Sequence, residues 1–208
     1  MKRVGIILRD YISKNNSDLL GVREDLIYYL RRYSIEIICI PIIFEDNEYD
    51  ELERVERLIN TCDGIILPGG AKEYDIDLKI AKYLYDNNIS TLGICLGMQI
   101  MALAFNGDMK LIGNETHQKT EGYVHEVKIK EKSRLAAILK ENKIMVNSRH
   151  IEHITTTDLP ISAISNDLII EAVEDPSKTF FIGVQWHPES LEDDIYSRRL
   201  FDSFINTL

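Results

Sequence analysis

The chain has 208 residues, 45% of them hydrophobic, which is enough apolar surface for the core of an ordinary domain. Its 34 acidic and 24 basic residues give a formal charge of -10, which disfavours a surface that neutralises nucleic-acid phosphates. No apolar run reaches the roughly 18 residues that a membrane-spanning helix needs, and the run at residues 4–8 is too short for a signal peptide, so we expect neither a nucleic-acid nor a membrane partner.

Short apolar runs alternate with helical patterns through the first half of the chain. Strands that are buried on both faces form continuous apolar runs, and helical crossovers between them produce a parallel sheet with helices on both sides. The first half therefore predicts a doubly wound α/β fold. Its predicted strands are residues 4–8, 36–40, 64–67 and 90–94, and its predicted helices are residues 19–33, 51–60, 75–87 and 96–105.

One cysteine lies where a predicted strand runs directly into a predicted helix. The sequence around it is Gly-Ile-Cys-Leu-Gly-Met-Gln at residues 93–99, with Cys95 between glycines two positions to either side. This is the pattern of a nucleophile elbow, in which a sharp turn projects the nucleophile above the edge of the sheet. The N-terminus of the following helix favours the thiolate, which is the attacking species. Cys95 is therefore the candidate nucleophile.

The other two cysteines, Cys39 and Cys62, have no such surroundings and are predicted to be small buried hydrophobic residues. Three cysteines without CxxC or Cys/His spacing predict neither a disulfide framework nor a zinc site. The cysteine pattern favours the reducing cytoplasm.

The sequence pattern of the second half of the chain predicts short strands followed by a C-terminal helix. These strands are expected to extend the sheet with additional antiparallel pairings. No repeat, low-complexity tract or long linker divides the halves, so residues 1–208 are predicted to be a single domain. The predicted strands are residues 124–129, 143–146, 161–165, 169–173 and 180–185, and an amphipathic helix covers residues 193–206.

A thiol nucleophile usually needs an imidazole and a group that orients it. Of the five histidines, only His187 ends a strand-like run and is followed two residues later by a carboxylate, Glu189. Residues i and i+2 of an extended chain point the same way, so Glu189 is placed to orient His187. The pair is the candidate base and orienter.

The remaining histidines are His117, His125, His150 and His153, for which we expect hydrogen bonds in loops or titration at the surface. His150 and His153 have the spacing of metal ligands on a helix, but residues 147–157 do not indicate a helix. The sequence also lacks the phosphate loop GxxxxGK(S/T) and the dinucleotide motif GxGxxG after a strand. We therefore expect no metal and no cofactor.

Three sequence blocks together resemble the class I glutamine amidotransferases and their γ-glutamyl hydrolase relatives, including the hydrolases of γ-glutamyl-γ-aminobutyrate in peptidase family C26. They are Ile-Leu-Pro-Gly-Gly at 66–70, the cysteine block at 93–99, and Gly-Val-Gln-Trp-His-Pro-Glu at 183–189, in the order of the family. The resemblance covers most of the chain and implies a flavodoxin-like, mostly parallel sheet flanked by helices.

The resemblance also implies roles for individual residues. Cys95, His187 and Glu189 correspond to the catalytic triad, and the backbone N–H groups of Gly70 and Leu96 correspond to the oxyanion hole. Gly69 and Gln99 would contact the glutamyl group. The segment containing Asn147, Ser148 and Arg149 is similar to the one whose backbone receives the α-amino and α-carboxylate ends of the substrate.

These residues predict hydrolysis of a γ-amide through a γ-glutamyl thioester, but they leave the leaving group open. It is either ammonia from glutamine, passed to a separate synthase, or an amine from a γ-glutamyl amine. The segment at 147–150 favours the hydrolases, whereas residues 71–75 lack their usual Asp-x-x-Pro pattern. A related fold family places histidine directly after the cysteine, and Leu96 argues against it. The remaining alternative is a catalytically silent module that binds a glutamyl metabolite or a partner protein.

Overall fold

The computed structural model of the protein describes residues 1–12, 18–43, 48–113, 117–119 and 122–208. Within these residues the helices are α1 (Glu24–Leu30), α2 (Glu48–Ile59), α3 (Asp75–Asp86), α4 (Leu96–Ala104), α5 (Arg134–Leu139) and α6 (Ile195–Asn206), with a short 3-10 helix at Pro188–Ser190. The strands are β1 (Lys2–Ile7), β2 (Arg9–Ile12), β3 (Asp18–Gly21), β4 (Ile35–Ile40), β5 (Gly64–Leu67), β6 (Ser90–Ile94), β7 (Asp108–Leu111), β8 (Gln118–Lys119), β9 (His125–Ile129), β10 (Lys143–Val146), β11 (Ser148–Arg149), β12 (Glu152–Thr156), β13 (Ile161–Ser165), β14 (Ile170–Glu174) and β15 (Phe181–Val184).

The main sheet has nine strands within the described residues, in the order β10-β9-β13-β14-β15-β6-β5-β1-β4. From β15 to β4 the neighbouring strands are parallel, and from β10 to β15 they are antiparallel. The predicted parallel sheet with additional antiparallel strands is therefore confirmed. The carboxyl ends of β5, β6 and β15 lie side by side, which places residues that follow these strands at one edge of the sheet.

Helices cover both faces of the sheet because its strands alternate their apolar side chains between two cores. Along β5, for example, Ile66 belongs to one core, whereas Ile65 and Leu67 belong to the other. The first core contains the apolar faces of α1, α5 and α6, and the second contains those of α2, α3 and α4. This arrangement is the doubly wound architecture that the first half of the sequence predicts.

The start of one helix and the exposure of one cysteine differ from the sequence predictions, each for a physical reason. The helix predicted at residues 19–33 begins only at Glu24, because Asp18–Gly21 pairs with Arg9–Ile12 in a two-stranded antiparallel ladder. Cys39 was expected to be buried but is exposed, because its strand β4 is the last strand of the sheet. Among the described residues, no helix combines the length and the apolar character that crossing a bilayer requires.

Candidate active site

Cys95 occupies the turn between β6 and α4 with strained backbone geometry. Its φ is 52° and its ψ is -106°, a region that residues with a side chain rarely adopt. Its backbone N–H donates to the carbonyl of Val184 at 2.8 Å, so strand β15 holds the turn in place. Strain of this kind costs on the order of 1–3 kcal/mol and concentrates at functional sites. The elbow predicted from the sequence is therefore present.

The two glycines of the elbow are required by close packing. A Cβ atom on Gly97 would lie 1.9 Å from the carbonyl oxygen of Leu67, and one on Gly93 would lie 2.4 Å from the sulfur of Met101. The first helical turn after the cysteine therefore packs directly on the backbone of strand β5. This close approach brings the turn at the end of β5 next to Cys95.

His187 and Glu189 form a buried pair beside Cys95. The two side chains are almost wholly buried, and His187 Nδ1 lies 2.6 Å from Glu189 Oε1. Burial by itself lowers the pKa of His187, but the charge of Glu189, followed by the charge and hydrogen bond of Cys95, raises that pKa to about 10. The charge of Glu189 therefore favours the positively charged form of the imidazole.

The side chain of Asn147 fixes the backbone of His187. Its amide nitrogen donates to the His187 carbonyl at 2.8 Å, and its amide oxygen accepts the His187 N–H at 2.8 Å. The sequence prediction placed Asn147 among the substrate contacts. In the structure its side-chain amide is used to position His187, so any substrate contact of this residue would fall to its backbone.

The turn after β5 brings two glycines against the side chains of Cys95, His187 and Leu96. A Cβ on Gly69 would lie 2.8 Å from His187 Cε1 and 3.7 Å from the Cβ of Cys95, so Gly69 lies between the two. Gly70 packs against Leu96, whose Cδ2 would be 2.8 Å from a Cβ at Gly70. Leu96 is the first residue of α4, and the N–H groups of a first helical turn have no acceptor within their helix. The two candidate oxyanion donors are thus neighbours.

A buried ion pair that the sequence analysis missed supports this turn. Arg9 is 1% exposed, and its guanidinium contacts the carboxylate of Asp77 at 2.5 and 3.0 Å. The same guanidinium donates to the carbonyl of Lys72 at 2.5 Å, and its Cγ and Nε lie against Gly70. The position of Arg9 directly after an apolar strand was the available signal, since loops at that end of the sheet converge on the site.

Gln99 and Gln185 form a second layer beneath Cys95. Gln99 Nε2 donates to the carbonyl of Glu152 at 3.0 Å and to Gln185 Oε1 at 3.1 Å, while Gln185 Nε2 lies 3.5 Å from Cys95 Sγ. Gln99 was predicted to contact the glutamyl group. Its amide nitrogen is instead engaged by the protein, and Gln185 is the amide that reaches the sulfur.

Ser148 and Arg149 point to different places. Ser148 is fully buried and donates to the backbone carbonyl of His117 at 2.9 Å. Arg149 donates to Ser190 Oγ at 2.5 Å and borders a pocket of about 540 Å³ that also reaches Glu189. Of the two predicted substrate contacts, only the side chain of Arg149 faces a cavity.

Three of the other four histidines form one cluster, in which His117 and His150 make the hydrogen bonds expected of histidines in loops. His117 and His150 are buried, and together with His125 they surround the carboxylate of Glu171. Loop hydrogen bonds or surface titration were expected, because each of these residues is isolated in the sequence. His153 lies on strand β12, so it shares no helix with His150, as the sequence indicated.

The described geometry defines an α/β protein with a cysteine elbow facing a histidine–carboxylate pair. The family model "Glutamine amidotransferase class-I" matches residues 18–207. The chain belongs to this family.

Three known proteins illustrate the relationship. A glutamine amidotransferase-like protein of Rickettsia prowazekii is 28% identical over 252 residues, covering 86% of this chain and 88% of its own length. The CTP synthase of Levilactobacillus brevis is 30% identical over 193 residues and covers 74% of this chain, which spans only 36% of that enzyme. A solved structure described as a GMP synthase subunit from Thermoplasma acidophilum has a TM-score of 0.72 with 21% identity, covering all of this chain and 94% of the other.

Proposed function

We propose that this protein hydrolyses the γ-amide of glutamine by a thiol mechanism, with Cys95 as nucleophile, His187 as proton donor and acceptor, and Glu189 as orienter. The observation that carries the proposal is the buried chain of contacts from Glu189 through His187 to a strained cysteine at a helix N-terminus. Membership of the amidotransferase family supports glutamine as the substrate. We further propose that residues 1–208 act as one domain.

The mechanism begins with attack of the Cys95 thiolate on the γ-carbonyl carbon. The backbone N–H groups of Gly70 and Leu96 stabilise the negative charge that develops on the oxygen. The His187 imidazolium transfers its proton to the departing nitrogen as the carbon–nitrogen bond breaks, which leaves a γ-glutamyl thioester and a neutral imidazole. His187 then removes a proton from water, the hydroxide displaces the sulfur, and glutamate leaves as the ion pair is restored.

The released ammonia requires an acceptor, which we propose is a separate synthase. Two similar proteins support this view, because one is described as part of a GMP synthase and the other is a CTP synthase. The chain spans most of the former and about a third of the latter.

A second candidate is cleavage of a γ-glutamyl amine without any synthase. The pocket beside Glu189 favours it, since about 540 Å³ is within the range of small-molecule sites and Arg149 could pair with an acidic leaving group there. The experiment is to measure glutamate release from glutamine and from a panel of γ-glutamyl amines, with Cys95→Ala as the blank. Turnover of glutamine alone supports the first candidate, and preference for one amine supports the second. Full activity in Cys95→Ala would contradict both.

A further inference from the structure

The three histidines and the glutamate outside the catalytic site form a compact, buried set of potential ligands. His117, His125 and Glu171 each offer an atom within 4.8 Å of the others, and the side chain of Glu171 is 0% exposed. His150 adds a fourth nitrogen, with its Nε2 3.2 Å from His117 Nδ1 and 3.9 Å from Glu171 Oε1. The cluster joins segments that are far apart in the sequence.

The tautomers of two histidines can be deduced from their outer contacts. His150 Nδ1 lies 2.9 Å from the carbonyl oxygen of Glu152, and since a carbonyl can only accept, this nitrogen carries the proton. His117 Nε2 lies 2.9 Å from the carboxylate of Asp167 and is a donor for the same reason. In their neutral forms, both rings therefore direct a bare nitrogen towards the centre of the cluster.

His117 and His150 present electron pairs to the centre of the cluster, whereas His125 Nε2, at 3.0 Å from Glu171 Oε1, is the donor of that contact in the metal-free protein. His117 Nδ1 faces His150 Nε2 at 3.2 Å, Ser148 Oγ at 3.2 Å and Glu171 Oε1 at 3.7 Å, while the proton of Ser148 is used on the His117 carbonyl. Among the described residues, Glu171 Oε2 accepts no hydrogen bond. A carboxylate wholly removed from water needs either a bound proton or a counter-charge, and a cation at the centre of the cluster would supply that counter-charge.

We propose that His117, His125 and Glu171 bind a divalent transition-metal ion of the zinc type, with His150 on the fourth side. The edge of a tetrahedron with zinc–ligand distances of about 2.0–2.1 Å is roughly 3.4 Å. The separations of 3.0 Å between His125 Nε2 and Glu171 Oε1, and of 3.7 Å between His117 Nδ1 and the same oxygen, bracket that value. Imidazole and carboxylate ligands suit such ions, whereas calcium and magnesium prefer oxygen ligands alone.

The outer contacts of the cluster have the form expected around a metal site. A histidine that binds metal through one nitrogen commonly donates its other N–H to a carboxylate or a carbonyl. Asp167 fills this role for His117, and the carbonyl of Glu152 fills it for His150. The absence of a metal motif in the sequence is explained by the placement of the ligands, since three separate segments supply them.

The metal would act on the structure around the active site rather than on the reacting atoms. It would link the β8–β11 ladder, which His117 and His150 flank, to strands β9 and β14 of the main sheet. The same ladder follows Asn147, whose side chain positions His187. The carbonyl of Glu171 accepts the N–H of Gln185, the residue that contacts the Cys95 sulfur.

The test is titration of the chelator-treated, folded protein with Co²⁺, read by visible absorption, and with Zn²⁺, read by calorimetry. We expect one equivalent to bind, with the absorption of a tetrahedral nitrogen and oxygen site and no thiolate charge-transfer band. Glu171→Gln and His125→Gln should abolish stoichiometric binding. His153→Gln is the matched control for loss of a histidine outside the cluster, and it should bind like the unaltered protein.

Cys95→Ser separates this site from the active site and should keep the full equivalent. The spectrum of the unaltered protein shows whether a metal ion binds to a nitrogen and oxygen site, even where a cluster variant fails to fold. The proposal is overturned if the unaltered protein binds neither ion stoichiometrically. A thiolate band that disappears in Cys95→Ser would overturn it as well, because it would place the ion at the active site. None of these readings depends on catalysis.

Discussion

Two buried histidines of this protein, His187 and His150, are held in opposite states. Charges facing His187 raise its pKa to about 10, whereas burial, reinforced by the neighbouring His117 and His125, lowers the pKa of His150 to about 3. Burial lowers the pKa of both histidines, so it does not explain the difference between them. What separates them is the nearest partner, since His187 Nδ1 lies 2.6 Å from a carboxylate oxygen, whereas His150 Nε2 lies 3.2 Å from the imidazole of His117 and 3.9 Å from the carboxylate of Glu171. The first is suited to donate a proton and the second to donate an electron pair.

The largest expected effect comes from removing the charge that sets His187 apart. Glu189→Gln should lower kcat by roughly 10²- to 10⁴-fold, because the imidazole loses its orienting and stabilising carboxylate. The proton donor is lost as the pH rises through the pKa of His187. Since Glu189 raises that pKa, the alkaline fall in activity should move to lower pH in the variant. A pH–rate profile measures both effects, and an unchanged alkaline limb would contradict the assignment.

The next effect tests geometry rather than charge. Gly69→Ala places a methyl group 2.8 Å from His187 Cε1, so the imidazole must move from its present position beside Cys95. Misplacement of a catalytic group by about 1 Å can cost about 10²-fold in rate, and we expect a loss of that order in kcat. Gly113→Ala is the matched control, because a Cβ there meets no atom of the described residues within 4 Å. Equal activities of the two variants would show that His187 does not need its present position.

A third effect concerns the stability of the turn after β5, which contains Gly70 and packs against Arg9. Asp77→Asn removes the carboxylate that pairs with the buried guanidinium of Arg9, and the loss of one partner of a buried ion pair costs about 3–5 kcal/mol of stability. Chemical denaturation should show this loss. The control is Glu36→Gln, which breaks the exposed ion pair with Arg3 and should leave stability nearly unchanged. Similar stabilities of the two variants would rule out a structural role for the Arg9 pair.

The smallest effect sharpens the choice of substrate. If the pocket beside Glu189 receives an acidic leaving group, Arg149→Ala should raise KM about tenfold for a γ-glutamyl substrate that carries one, and leave KM for glutamine unchanged. Steady-state kinetics with both substrates measures this difference. Equal KM changes for the two substrates would remove Arg149 from any role in specificity.

The geometry around the candidate active site was largely predictable because its sequence signals are local. Strands β5 and β6 have the predicted bounds, and Cys95 and the His187–Glu189 pair were identified from the residues beside them. An elbow is a property of five successive residues, and the orientation of Glu189 follows from its distance of two residues from His187. Local patterns of this kind can be identified from the sequence without knowledge of the tertiary structure.

The parts that were not predictable depend on contacts between distant segments. His117 and Glu171 are 54 positions apart, and no local pattern indicates that they meet. Likewise, Asp77 lies 68 positions from Arg9, with which it forms a buried pair. Gln99 and Asn147 have the residue types expected of substrate contacts, but the tertiary structure uses their side-chain amides to hold Gln185 and His187.

The most direct test of Cys95 as the activated nucleophile compares the three cysteines within one molecule. Cys39 is exposed, Cys62 is partly buried and Cys95 is 7% exposed, so solvent access alone ranks Cys95 last. The measurement is the rate of alkylation of each cysteine by iodoacetamide at pH 7, followed by peptide mass spectrometry. A thiolate paired with His187 predicts that Cys95 reacts fastest despite its burial. If Cys39 reacts fastest and Cys95 slowest, the thiol is not activated and the proposed mechanism is contradicted.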